Sequence, residues 1–131
     1  MISYKTLNND NPKLNCRLNG LNKYSPKRII LDNKLNSNIN SFIIKTANKS
    51  NTIIFYNEAG NSKILSFRKK GINLINSKID NKGRFDFKIL LKKLYKLNCR
   101  NLLVEGGDEL TNYFLRNNIF NKFYLYKSNK K

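Results

Sequence analysis

Short apolar runs alternate with amphipathic stretches along most of this chain, and that alternation narrows the folds open to it. Arg28–Leu31 reads RIIL, Thr52–Tyr56 reads TIIFY, Ile72–Ile75 reads INLI and Leu102–Val104 reads LLV, with Phe123–Tyr126 (FYLY) as a last run. Each has the length of a strand, and Pro, Gly or Asn residues mark their ends. Between them, Ser62–Lys70 predicts a short helix stopped by Gly71. Phe87–Leu97 predicts the clearest helix. Asp86 stands at its cap, and Phe87, Leu90, Leu91, Leu94 and Leu97 fall at helical spacing, with Lys88, Lys92, Lys93 and Lys96 mostly outside. Asp108–Arg116 predicts another, with Leu110 and Phe114 one turn apart. Strand and helix in repeated alternation require crossover connections, so the expectation is an α/β domain with a mostly parallel central sheet and flanking helices. The 131 residues suit one domain.

Composition excludes several function classes. The chain has no histidine, which removes His-ligated zinc, Ser-His-Asp catalysis and a Cys-His pair. Its two cysteines, Cys16 and Cys99, are far apart and form no CxxC, so two incidental thiols in a reducing compartment are expected. No apolar run approaches the ~18 residues a membrane span needs, and the start MISYKTLNND lacks the apolar stretch of a signal peptide. A cytoplasmic protein without membrane contact is the expectation. The net charge is +18, which by itself suggests nucleic acid. However, 24 Asn, 20 Lys and 14 Ile, all with A/T-rich codons, point first to compositional bias. The lysines are scattered, and the densest clusters, Arg68-Lys69-Lys70 and Lys92-Lys93, are too short for a basic arm. No specific nucleic-acid partner is expected, although the charge would attract small phosphorylated ligands.

Two stretches carry the chemistry. Asn101–Leu110 reads NLLVEGGDEL. It places Glu105 at the carboxyl end of a strand, where ligands bind in α/β sheets. Gly106 and Gly107 then open a helix whose first N–H groups lack internal partners, and without a Cβ a phosphate can approach that backbone. A tight turn with Glu105 on the surface explains the same residues, and local chemistry leaves both readings open. Asp108 and Glu109 suit the helix dipole but compete with an anion. The other stretch, Thr6–Arg17, reads TLNNDNPKLNCR. Asp-Asn-Pro signals a turn. Thr6 and Asp10 could hold polar ligand atoms and Arg17 a phosphate. Taken alone, a polar loop is the preferred reading.

The order T-x-x-x-D-N-P-x-L-x-x-R, then P-x-R-I-I-L-D, then L-L-V-E-G-G-x-x-L strongly resembles one family. It is the C-terminal reductase domain of the bifunctional riboflavin-biosynthesis deaminase–reductase, which has a dihydrofolate-reductase-like fold. The resemblance runs from Thr6 to about Tyr126. It implies reduction of the ribosyl group of 5-amino-6-(5-phosphoribosylamino)uracil to ribityl, with hydride from NADPH. Thr6 and Asp10 match positions that contact NADP, and Asn33 matches a further cofactor position. Leu14 and Arg17 match substrate positions, with Arg17 suited to the ribose phosphate. Glu105 matches a substrate-binding glutamate. Gly107 to Tyr113, comprising Gly107, Asp108, Glu109, Leu110, Thr111, Asn112 and Tyr113, matches the segment that cradles the cofactor phosphates. Asp10 and Glu105 are the candidate proton-handling carboxylates. The family has a strand, a helix and a substrate loop before the Thr6 position, including a lysine near the reacting carbon, and further strands after the Phe123–Tyr126 position. The resemblance thus implies a partial reductase domain, shortened at both ends and without the deaminase half. The alternatives are an inactive fragment or scaffold subunit, completed by a homodimer partner or a complementing N-terminal fragment, and, in a different class, a basic nucleic-acid-binding module.

Overall fold

The computed structural model describes residues 1–127. Four parallel strands lie side by side in chain order: β1 (Ile2–Ser3), β2 (Arg28–Leu31), β3 (Thr52–Tyr56) and β4 (Asn73–Asn76). Ile2 pairs with Ile30, Ile30 with Ile54 and Ile54 with Leu74, so one row runs across the sheet. Among the described residues five α-helices accompany it: α1 (Tyr4–Asp10), α2 (Phe42–Lys45), α3 (Asn61–Lys69), α4 (Phe87–Lys96) and α5 (Asp108–Arg116). This is the α/β class the alternation predicts. Among the described residues no helix is long and apolar enough to cross a membrane.

Side chains alternate across each strand and build two cores. On one face Ile29, Leu31, Ile53 and Phe55 meet Leu90 and Leu94 of α4 and Leu110 and Phe114 of α5. On the other, Ile2, Ile30, Ile54 and Tyr56 meet Leu7 of α1, Ile43 and Ile44 of α2 and Phe67 of α3. Because both faces are covered, every residue of β2 and β3 is buried. That is why these strands read as unbroken apolar runs rather than alternating ones. Arg28 is buried with them. Its guanidinium donates to Thr46 Oγ1 (2.7 Å), the Thr46 carbonyl (2.9 Å), Asn51 Oδ1 (2.9 Å) and Thr52 Oγ1 (2.8 Å). These acceptors are all neutral, and burial lowers the arginine pKa below its ordinary value.

The chain path has one reversal. After β1, β2 and β3, the helices α1, α2 and α3 pack on one face; after β4, α4 packs on the other. The chain then reaches the free side of β1. There the Met1 nitrogen donates to the Leu103 carbonyl at 2.6 Å, and the Glu105 N–H donates to the Met1 carbonyl at 3.0 Å. Bonding to residues 103 and 105 from one residue is the parallel pattern.

Four expectations need correction. Leu102–Val104 is extended but is not a strand, because its neighbour supplies one rung at Met1 before the chain turns into α1 at Tyr4. Phe123–Tyr126 is not a strand either. It finds no sheet partner among the described residues, and Phe123 and Tyr126 are 51% and 90% exposed. Strand propensity without a ladder does not make a strand. The run at Ile72–Ile75 forms a strand one residue later, at Asn73–Asn76, since Ile72 itself packs in the core beside Phe67. Lastly, Thr6 to Asp10 form most of α1 rather than a loop. Ser3 caps that helix, its Oγ accepting the Thr6 N–H at 3.2 Å. Helix α1 and its C-cap are then tied by asparagines to the segment that runs from β2 into α2. Asn8 Oδ1 accepts the Asn38 N–H and Asn11 Oδ1 accepts the Phe42 N–H, both at 2.8 Å.

Candidate functional site

The reversal beside β1 makes a topological switch point, and the space there between the starts of α1 and α5 is the candidate crevice. Helix α1 leaves the carboxyl end of β1 toward one face, and α5 leaves the carboxyl end of the Leu102–Val104 segment toward the other. In open α/β sheets, ligands bind at such a switch point. Here both helices present their N-termini to the same place. A Cβ built on Gly107 would stand 3.9 Å from Thr6 Oγ1, and Lys5 Nζ lies 3.4 Å from Glu109 Oε2. Residues a hundred positions apart in the chain are thereby neighbours.

The two glycines differ in what requires them. A Cβ on Gly106 would fall 2.9 Å from Thr111 Oγ1 and 3.1 Å from Leu110 Cβ, so α5 itself excludes a side chain there. Thr111 returns a bond from its hydroxyl to the Gly106 carbonyl at 3.2 Å. Gly107 meets no such obstacle, and a Cβ there would project into the gap facing Thr6. Gly107 is also the N-cap of α5 and offers no side-chain acceptor to the first turn. The N–H groups at the start of α5 therefore have no side-chain cap and lie at the positive end of the helix dipole, beside Thr6. Glu109, the acid that would oppose an anion there, is drawn toward Lys5.

The other residues singled out in the sequence divide into three groups. Asp10 lies four residues beyond Thr6 on α1, one turn along the same face. It is exposed, as is Arg17, and neither forms an ion pair among the described residues. Glu105 is exposed at the edge of β1, close enough to Met1 that its carboxylate opposes the effect of burial, which lowers the Met1 ammonium to about 6. Leu14 sits at φ 47, left-handed backbone uncommon for leucine, and packs against the core cluster of α1. In α5, Leu110 is buried in the core and Tyr113 packs on Phe87 with ring centroids 4.7 Å apart, while Asp108 and Asn112 face solvent. Asn33 lies in the turn two residues beyond β2, where its carbonyl accepts the Asn57 and Glu58 N–H groups at 3.0 Å. Its side-chain amide donates to the Gly83 carbonyl. Just before it, the fully buried Asp32 carboxylate accepts the Asn36 N–H (2.8 Å) and the Ser37 N–H and hydroxyl (both 2.7 Å), which fixes the loop leaving β2.

Two residues at the crevice escaped the sequence reading. Ser3 caps α1 and holds the Thr6 hydroxyl at 3.1 Å, and Lys5 pairs with Glu109. Serine is a favoured N-cap residue, and Ser3 just ahead of the helix could have revealed the first. Nothing local signals the second.

The chain belongs to the RibD C-terminal domain family. That family's pattern matches residues 1–129, nearly the whole chain, and it is a family of reductase-type domains. Among individual proteins, the chain is similar to the riboflavin biosynthesis protein RibD of Actinobacillus pleuropneumoniae. They are 33% identical over 126 residues, covering 96% of this chain and 33% of that protein. The riboflavin biosynthesis protein RibD of Aquifex aeolicus (strain VF5) is 29% identical over 126 residues, with the same coverage. The chain thus spans about a third of the length of these relatives.

Proposed function

We propose that this domain binds NADPH in the crevice between α1 and α5 and reduces the ribosyl group of 5-amino-6-(5-phosphoribosylamino)uracil to ribityl. The observation that carries this reading is the approach of Thr6 to Gly107, which joins the two sequence segments of cofactor-binding character at one switch point. The donor set fits a dinucleotide: uncapped helix N–H groups for the pyrophosphate, a glycine where a side chain would intrude, and the Thr6 hydroxyl beside it.

Bound NADPH supplies the hydride; the chain supplies alignment and proton handling. Glu105 lies on the open side of β1 and can accept hydrogen bonds from the sugar hydroxyls. It and Asp10 are the carboxylates able to take and return the proton when the sugar ring opens to the imine. Arg17, exposed and unpaired with acids among the described residues, suits the substrate phosphate.

Two variants, each measured for turnover and for NADPH affinity, test the division of labour. Glu105→Gln keeps the side-chain size but removes the charge and the proton, so kcat/KM should drop by about a hundredfold or more with NADPH affinity little changed. Gly107→Val should weaken NADPH binding first. Full activity in Glu105→Gln, or loss of cofactor binding in Glu105→Gln equal to that in Gly107→Val, would refute the reading.

A further inference from the structure

Between β4 and α4 the chain makes a tight hairpin, closed by an antiparallel pairing of Ile79 with Phe85. The Asp80 carboxylate organises it. One oxygen accepts the Lys82 N–H (2.9 Å) and the Arg84 N–H (2.8 Å); the other takes the Arg84 guanidinium at 3.0 Å through Nε and 2.9 Å through Nη2. These bonds lower the Asp80 pKa below its usual value. They also hold one rotamer-rich arginine still on a loop that is largely exposed.

Two contacts set this hairpin against the crevice. The Asn33 side chain, at the carboxyl end of β2, donates to the Gly83 carbonyl. On the other side, the Arg84 guanidinium stands 5.9 Å from the centre of the Tyr113 ring on α5. The hairpin therefore bridges from the end of β2 to α5. Thr6 and Gly107 meet at the start of α5, and Arg84 stands beside Tyr113 further along the same helix. At a rise of about 1.5 Å per residue, Tyr113 is ~9 Å along α5 from Gly107. A dinucleotide whose pyrophosphate sat on the N-terminus of α5 and whose adenosine half ran toward Asn33 would bring its ribose to this hairpin.

We infer that Arg84 selects NADPH over NADH by pairing with the 2′-phosphate of the adenosine ribose. The inference rests on the cofactor site proposed above. Asp80 engages Nε and one Nη, which leaves the remaining N–H donors of the planar fork for a phosphate. The Tyr113 face steadies the guanidinium plane. Lys78, Lys82 and Arg84 together exceed Asp80 and Asp86 by one charge, so the hairpin stays net positive toward an anion.

The test is calorimetric titration of the wild-type chain, Arg84→Ala, Arg84→Gln and Arg84→Lys with NADPH and with NADH. Glutamine keeps a donor toward Asp80 and so protects the hairpin if alanine unfolds it. The wild-type chain should prefer NADPH. The Kd ratio of NADH to NADPH should collapse about tenfold or more in the alanine and glutamine variants, because a charge-assisted bond to phosphate is lost while NADH binding hardly moves. Lysine should restore part of the ratio, as it keeps the charge without the fork. An unchanged ratio in both neutral variants, or a wild-type chain that binds both cofactors equally, would overturn the role of Arg84. A wild-type chain that binds neither cofactor would overturn the cofactor site itself.

Discussion

Toward β2, strand β1 joins three parallel neighbours in continuous register, between two packed layers of helices. Away from β2, Met1 alone among the described residues bonds to the run that carries Glu105, and Leu103 in that run is 65% exposed. The first side has the cooperativity of a buried ladder, whereas the second has one rung. Yet the second side holds Glu105 and both glycines. Binding and catalytic groups commonly sit on loosely held segments that a rigid scaffold positions. Here the scaffold is β2, β3 and α4, and the working segment is attached to it through Met1, the Lys5–Glu109 pair and the core residues of α5.

That contrast can be broken most severely in the ladder. Phe55→Ala removes a fully buried ring from the core under α4 and α5 and should cost about 3–5 kcal/mol, read as a fall in the urea midpoint. Leu103→Ala, on the exposed run, should cost less than about 0.5 kcal/mol in the same experiment. Equal losses would mean that the two sides of β1 are equally consolidated.

The glycines sharpen the comparison at a smaller scale. Gly106→Ala forces a Cβ to within 2.9 Å of Thr111 Oγ1 and should destabilise the start of α5 by about 1–3 kcal/mol. Gly107→Ala, whose Cβ would make only an ordinary contact with Thr6 Oγ1 at 3.9 Å, should cost well under about 1 kcal/mol as an N-cap change. Reversal of this order in thermal melts would contradict the assignment of Gly106 to packing and Gly107 to the crevice.

Next comes the cap of α4. Asp86 Oδ1 accepts the Ile89 N–H at 3.2 Å, and Asp86→Ala should cost about 1 kcal/mol with no change in cofactor affinity. The smallest effect is expected from Lys5→Ala. The Lys5–Glu109 pair is exposed, so its loss should lower stability by less than about 0.5 kcal/mol. It should nevertheless weaken NADPH binding measurably, since Glu109 then faces the crevice uncompensated. A variant with wild-type affinity would remove Lys5 from the account.

What the sequence reveals and what it hides follow from how local each cause is. Strands β2 and β3, helix α4 with its Asp86 cap and helix α5 follow from periodicity and capping within a dozen residues. Helix α1 is hidden because Leu7 is its only buried residue and Lys5, Thr6, Asn8, Asn9 and Asp10 are polar, so no apolar stripe forms. Helix α2 is a single turn, too short for any period. The status of Leu102–Val104 depends on a partner a hundred residues away, as do the Thr6–Gly107 approach and the Lys5–Glu109 pair. The sequence names Glu105 and the glycines through their position at a strand end. That Gly106 serves α5 while Gly107 faces the crevice is legible only in three dimensions.

The central claim is that the N-termini of α1 and α5 together form the cofactor site. Amide chemical-shift mapping during titration with NADPH tests it most directly. Saturable shifts should gather at Thr6, Gly107, Asp108 and Glu109, with Asn33 and Gly83 moving next and the amino ends of β3 and β4 unmoved. Shifts concentrated away from these residues, or none at millimolar NADPH, would contradict the account.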